Sequence, residues 1–587
     1  MQYTNQYRYL LTLLMLGWVI SNSSCKKILE QEPQNSTYDQ VFWQTAKDCE
    51  SAIAGNYSLL RASFTATSAY EENAFRYNMY GDAQTTSSSY FTINYNGDGL
   101  EGIQGGDFTF QYNIQTLGDW TVFYKTIAYS NIILKKIPSI PDEKLAKDVV
   151  NVQTFKNKIM GQALFIRALS YFQLVKVWGD VPIVTEAYDD VLSAPQLPRS
   201  AKADVMKQIE NDCHAAMGML NWGNESVQER GVIANRGSVY ALLAHLYLWR
   251  ATMTNVNSDT PVMSDVTNAD TTLSTLIARG GYSLVDTAKY GDQFNNPSTE
   301  SIFEVAMSEN NQEGAYYHIG LGFLTGSFVE GLGFSPRFWV PDQYIDNHYG
   351  VERTGYGEGW VFRPGGWEWL PVKVVGTQYY IVENGVEINV TDDADLSNGN
   401  AYVYYADIDD YKLELVGGYG PDLGEVRYRN NFVKVGAQGS NLIKYRNIIY
   451  RNPGNRTNAY LSNNLPVFRL SDMRLLQAEV ALYKNDLATA AQIINFFRDR
   501  NNSSSVRVSA TDSKFNLTRE YMLERGKELY MEGQIYFDLL RTRMYTEFIG
   551  WMSTTRFRGE GFYWPVYPLL FNDNKFLTQT LYWRGKV

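Results

Sequence analysis

Apolar residues recur at helical spacing in discrete blocks, separated by long stretches rich in glycine and polar residues. Three blocks follow one another between Leu465 and Arg541. Leu475, Leu476, Ala478, Glu479 and Leu482 share one face of the first, and Ala490, Ala491, Ile494 and Phe497 share one face of the second. The Lys484-Asn485-Asp486 step between them is short enough to fold the pair into a hairpin. The alanines let the two backbones approach closely, the pattern of tetratricopeptide-type repeats. A third block, LTREYMLERGKELYMEG, predicts a helix that stops at Gly533, a residue suited to the left-handed turn past a helix end.

The same periodicity marks earlier helices over Val41–Arg61, Trp120–Leu134 (with Pro138 ending it), Phe155–Trp178, Ala203–Met219, Gly237–Ala251 and Ala269–Ala278. The longest closes with Trp178-Gly179-Asp180-Val181-Pro182, a glycine stop followed by proline. Ile302–Val305 reads as a short strand. From Ser308 to Asn464 the helical signal fades, and brief alternation at Gln378–Val382 and Tyr402–Tyr405 predicts loops with a few strands. The expected fold is therefore mainly α: a scaffold of about four tetratricopeptide-like hairpins carrying an irregular, loop-rich and partly β insertion.

The segments LPVFRLSDMRLLQAEVALYKNDLATAAQIINFFRDRN, GQALFIRALSYFQLVKVWGDVPIV and YWPVYPLLFNDNKFLTQTLYW, in this order, resemble the SusD/RagB family of surface nutrient-binding lipoproteins of Bacteroidetes. The resemblance spans nearly the whole chain and is weakest in the insertion. It divides the chain into a leader (1–24), a tether (25–40), an N-terminal helical part (41–307) with an aromatic loop (63–118), a ligand-bearing insertion (308–464) and a C-terminal helical part (465–587).

The leader agrees with it independently. Arg8 precedes an apolar run from Leu10 to Ile20, too short to span a bilayer and suited to a signal-peptide core. Ser23 and Ser24 stand directly before Cys25, the arrangement of a lipoprotein processing site, although Asn22 occupies a position usually aliphatic. Acylation of Cys25 would anchor the body of the protein to the outer membrane, and the resemblance implies a face towards the cell exterior.

Composition narrows the chemistry. The net charge of −11 and the absence of a Lys/Arg stripe argue against nucleic acid as a partner. Cys49 and Cys213 fall among apolar helical neighbours and read as buried free thiols. No H-E-x-x-H, G-x-S-x-G or P-loop motif is present, and no cofactor is expected. His245 lies in an apolar helix and reads as a core histidine. Asp392, Asp393 and Asp395 lack the glycine and terminal glutamate of an EF-hand and read as a solvated turn. Glu524, Glu528 and Glu532 share a helix face. Like charges at that spacing require cations, for which Arg525, Lys527, Arg541 and Arg543 are at hand in sequence. A structural ion-pair network is expected there rather than a glycosidase acid pair.

Aromatic residues are the outlier, with 43 Tyr and 13 Trp, many in Gly/Ser/Asn-rich stretches. A flat apolar ring with a polar handle suits the C–H face and hydroxyl rim of a sugar. One group comprises Tyr80, Asp82, Tyr90, Phe91, Tyr95, Phe108 and Phe110; the other comprises Tyr316, Tyr317, Trp339, Trp360, Trp367 and Trp369. The resemblance implies that ligand contacts come from these two regions, with Asp82, Tyr90, Phe91, Tyr95, Phe110, Tyr316, Tyr317, Trp339, Trp360 and Trp367 as candidate ligand-binding residues. It further implies a non-catalytic protein that captures an oligosaccharide and delivers it to a SusC-like TonB-dependent transporter barrel. A peptide ligand, as in the RagB branch, a surface glycosidase and a purely structural subunit are the alternatives.

Overall fold

The computed structural model describes residues 42–65, 80–82, 92–93, 106, 118–188, 194–223, 226, 228–311, 313–314, 338–340, 342–352, 357–363, 366–375, 378–383, 386–389, 394–395, 401–403, 413–415, 419–422, 424–435 and 439–586. The helices that build the scaffold are α1 (Ala46–Thr65), α2 (Thr121–Lys136), α3 (Val152–Trp178), α4 (Lys202–Met219), α5 (Arg236–Met253), α6 (Met263–Arg279), α7 (Leu470–Tyr483), α8 (Leu487–Arg500), α9 (Lys514–Glu528) and α10 (Ile535–Arg541). They pack as the hairpins α1/α2, α3/α4, α5/α6 and α7/α8, with α7 also resting on α6 and α9.

Helix α3 is the axis of this stack. Every residue from Gly161 to Trp178 is buried, because α1, α2, α4 and α5 surround it. Its polar residues are buried with the apolar ones, and Arg167 is paired with Asp212 at 2.6 Å, as a buried charge requires. Asn151 caps its start by accepting from the Thr154 amide at 2.9 Å. Gly179, at φ +72°, ends it, and a Cβ there would meet the Tyr563 ring at 2.8 Å. The terminal segment closes the same end: Trp564 donates its amide to Val177 O at 2.8 Å. Trp178 and Trp564 are fully buried, with Tyr80 packed edge-on to both at 5.8 and 5.0 Å.

The Lys484–Asp486 turn forms as the pattern predicts, with Asn485 at φ +61° and Asp486 capping α8 through the Thr489 amide. Helix α9 does not run to Gly533. It stops at Glu528, with Leu529 as its C-cap. The chain then turns through Met531 (φ +58°) and Gly533 (φ +75°) before α10 begins. Hydrophobic periodicity continued through Leu529 and Tyr530 because both are buried in the turn.

Strand β2 (Ser301–Val305) pairs antiparallel with a strand at Leu465–Arg469, Val305 opposite Leu465. The chain between them therefore leaves and rejoins the helical body at one place. It contains more regular structure than loops with a few strands: a seven-stranded antiparallel sheet. Counting Thr92–Ile93 as β1 and Phe338–Trp339 as β3, its strands are β4 (Gly357–Arg363), β5 (Gly366–Val375), β6 (Gln378–Glu383), β7 (Val386–Asn389), β8 (Ala394–Asp395), β9 (Ala401–Val403) and β10 (Leu413–Leu415). Their spatial order is β7-β6-β5-β4-β10-β9-β8.

Candidate functional site

Two regions that are far apart in sequence meet through a strand pair. β1 lies antiparallel to β3, with Thr92 opposite Trp339 and Ile93 opposite Phe338. Of the second aromatic group, Trp339 is thus the residue paired with a strand from the first loop. Tyr90, Phe91, Tyr95, Phe110, Tyr316 and Tyr317 themselves lie outside the described residues, as do Phe108, His318, Asp392, Asp393 and the leader with Cys25.

Trp360 lies on β4 and Trp367 on β5. The register places Trp360 opposite Trp369 and Phe362 opposite Trp367. Residues directly opposed in an antiparallel ladder share a face, and alternate residues of one strand share a face. Trp360, Phe362, Trp367 and Trp369 therefore occupy neighbouring positions on one face of the sheet. The row through Trp369 and Trp360 continues across the sheet through Glu414, Tyr402 and Asp395. On β5 and its neighbours the same face carries Lys373, Tyr380 and Asn389. The opposite face is mainly aliphatic: Val361, Leu370, Val372, Ile381, Ile388 and Leu413 fall there, with Arg363, Glu368, Tyr379 and Glu383 as exceptions. Phe362, Tyr402 and Glu414 were not singled out from sequence. The signal was the alternation in Trp360-Val-Phe362 and Trp367-Glu-Trp369, which only a strand register converts into a shared face.

Asp82 has a different place. It is 1% exposed, and its two carboxylate oxygens accept the amides of Gly533 and Ile535 at 3.0 and 3.1 Å. Tyr80 is equally buried. Both are held inside the junction between the first loop and the C-terminal helices, and neither presents a surface to a ligand. Burial pushes the Asp82 carboxyl up to about 7, against the lowering effect of the two amides.

The three glutamates on one face of the α9 segment form a buried ion-pair network. Glu524 is paired with Arg427 at 2.7 Å and Arg498 at 3.3 Å, and Glu528 with Arg469 at 2.9 Å. Glu532 binds Arg469 and Lys444 at 2.9 and 2.5 Å. Lys527 contributes to Glu524 at 3.7 Å, as its sequence position suggests. Arg525 and Arg541 turn instead to Asp538, with Arg525 also on Asp472 and Arg541 on Glu479. Arg427, Arg469 and Lys444 arrive from distant segments and were invisible to a reading of local spacing. Burial pushes the Glu528 carboxyl up, but Arg469 and Arg427 more than offset this and hold it at about 2. All three carboxylates are occupied by cations in the interior, an arrangement that holds segments together and offers no water-accessible acid pair.

His245 is a buried core residue, as expected, with Nε2 2.7 Å from Asp472; burial lowers its pKa, against the pull of Asp472. His348 hydrogen-bonds Tyr344 O through Nδ1 at 3.0 Å. Cys49 and Cys213 are free and buried. Among the described residues no three His, Cys, Asp or Glu side chains gather as a metal site, and no helix is long and apolar enough to cross a membrane.

Residues 27–248 match a family described as starch-binding and associating with the outer membrane, and residues 299–583 match the SusD family. SusD-like protein P38 of Formosa agariphila is 24% identical over 97% of each chain. Among solved structures, a SusD superfamily protein from Bacteroides thetaiotaomicron aligns with a TM-score of 0.64 at 19% identity, covering 92% of this chain and 99% of the other. Bacteroides fragilis NanU aligns with a TM-score of 0.58 at 17% identity, covering 94% and 99%. The chain belongs to the SusD/RagB family.

Proposed function

We propose that this protein is a non-catalytic, lipid-anchored binding protein of the outer membrane that captures oligosaccharides outside the cell and passes them to a SusC-like TonB-dependent barrel. The observation that carries the proposal is the sheet face on which the register gathers Trp360, Phe362, Trp367 and Trp369. Cβ atoms of directly opposed residues lie about 5 Å apart, and rows repeat about 7 Å along a strand. Four aromatic positions on this grid match the footprint of one or two pyranose rings. Glu414, Tyr402 and Asp395 continue the row with groups able to accept hydrogen bonds from sugar hydroxyls. Trp339 lies opposite Thr92 in the separate β1/β3 pair and is proposed to belong to the same surface. Tyr90, Phe91, Tyr95, Phe110, Tyr316 and Tyr317 are proposed to complete the surface, whereas the buried Asp82 is left out of it.

The description of the N-terminal match as starch-binding and outer-membrane-associated supports a glycan ligand and this location. Lipidation at Cys25 would hold the protein at the membrane, and the barrel would take over the captured ligand. The test is a panel of oligosaccharides and peptides presented to the soluble chain, together with copurification of the acylated chain from outer membranes. Retention of glycans and of a barrel partner supports the proposal. Retention of peptides alone contradicts it.

A further inference from the structure

The aromatic face of the sheet has a charge pattern of its own. Trp369, Trp360, Glu414, Tyr402 and Asp395 stand directly opposite one another in turn, on five adjacent strands. Neighbouring strands lie about 5 Å apart, so the row is about 20 Å long and has an aromatic or acidic position at every step. Glu414 is opposite both Trp360 and Tyr402, and Asp395 follows on the far side of Tyr402.

Two further acids share this face: Glu358 alternates with Trp360 on β4, and Glu387 alternates with Asn389 on β7. Among the described strands Lys373 is the one basic position on it. Lys373 stands four residues along β5 from Trp369, about 13 Å away, and so outside the row. The reverse face sets Arg363 against Glu368 and Glu383. Negative charge therefore collects on the aromatic side of the sheet, in a chain whose net charge is −11.

Rings and carboxylates share one electrostatic preference. The face of an aromatic ring is the negative end of its quadrupole and attracts cations. A carboxylate does so more strongly, through charge-assisted hydrogen bonds. An anionic sugar would be repelled by both, and steps of about 5 Å fall inside the screening length of about 8 Å at physiological salt. Hydroxyl donors let a neutral sugar bind carboxylates, and a protonated amine adds the charge-assisted bond. We infer that this face selects glycans with free amino groups, such as deacetylated hexosamine units, over acetylated and acidic ones. The inference rests on the reading of the face as the glycan-binding surface.

The experiment is calorimetric titration of the soluble chain with a glucosamine tetramer, its N-acetylated form, a galacturonate tetramer and tetralysine. It is run at low and high salt and at mildly acid pH, where the amine holds its proton and ordinary carboxylates, titrating near about 4, keep their charge. The glucosamine tetramer is expected to bind at least about tenfold more tightly than the acetylated form, with a preference that shrinks as salt rises. Galacturonate is expected not to bind. Asp395→Asn/Glu414→Gln keeps the side-chain shapes and removes the charges, and should reduce the preference to less than about threefold. Equal affinity for the two forms in the wild type, or an undiminished preference in the double variant, overturns the inference and leaves the face standing as a glycan surface. Tetralysine bound as tightly as the glucosamine tetramer overturns its sugar component. If neither hexosamine tetramer binds while another glycan is retained, the choice of glycan class is overturned. If no glycan is retained at all, the reading of the face itself fails.

Discussion

Asp82 accepts the Gly533 amide at 3.0 Å across 451 positions of sequence, and with the Ile535 amide it fixes the turn between α9 and α10. Replacing Asp82 by alanine leaves two buried donors without acceptors, at a cost of about 1–3 kcal/mol each. The pH dependence has a definite sign. An unfolded aspartate titrates near about 4, whereas this one is raised to about 7. The native state thus holds the extra proton between those values, and its contribution to stability falls as pH rises through the window. Urea unfolding as a function of pH is expected to show this downward trend in the wild type and its loss in Asp82→Asn.

The neighbouring Gly81 is equally committed. A Cβ there would stand 1.9 Å from Gly533 O, a backbone atom with no freedom to give way. Gly81→Ala is expected to destabilise the protein by more than about 3 kcal/mol, the upper end of single-site effects. Gly218→Ala, in α4 with open space around it, is expected to be neutral or to stabilise by up to about 1 kcal/mol. Thermal melts of the two variants test the contrast.

Arg469 binds Glu300, Glu528 and Glu532 together. Arg469→Met removes the cation that these three buried carboxylates share, leaving Arg500, Arg427 and Lys444 as their remaining partners, and is expected to cost about 3–5 kcal/mol near neutral pH. Glu528, held at about 2 in the native state, contributes stability above its unfolded value of about 4.3 and loses it as pH falls towards about 2. The deficit of the variant should therefore shrink over that acid window. Chemical unfolding at a series of acid pH values measures it.

The helical half of this architecture was legible because its signals are local. Helical periodicity marked α3, α7 and α8, and the Gly179 stop and the Lys484–Asp486 turn carry their own chemistry. The end of α9 was misjudged because Leu529 and Tyr530 are buried by tertiary contacts, which keeps the apolar pattern running past the last helical turn. The cations around Glu528 were unreadable for the same reason: Arg427 and Arg469 come from other segments. At the candidate site the sequence singled out Trp360 and Trp367 as residue types. Their placement on a common face needed the pairing of β4 with β5, and a one-residue slip in that register would have separated them. Asp82 shows the converse, a polar residue among loop aromatics whose role is set by a partner 451 positions away.

The central claim is that the aromatic face of the sheet holds a glycan. It is tested most directly by calorimetry of the soluble chain with an oligosaccharide that it retains, comparing the wild type with Trp360→Ala, Trp367→Ala and Leu370→Ala. If stacking on this face resembles that of bases on aromatic platforms, each tryptophan variant should lose about 1–3 kcal/mol of binding. Leu370→Ala, on the opposite face, should retain the affinity. Equal affinity in all four proteins would contradict the assignment of the sheet face as the binding surface.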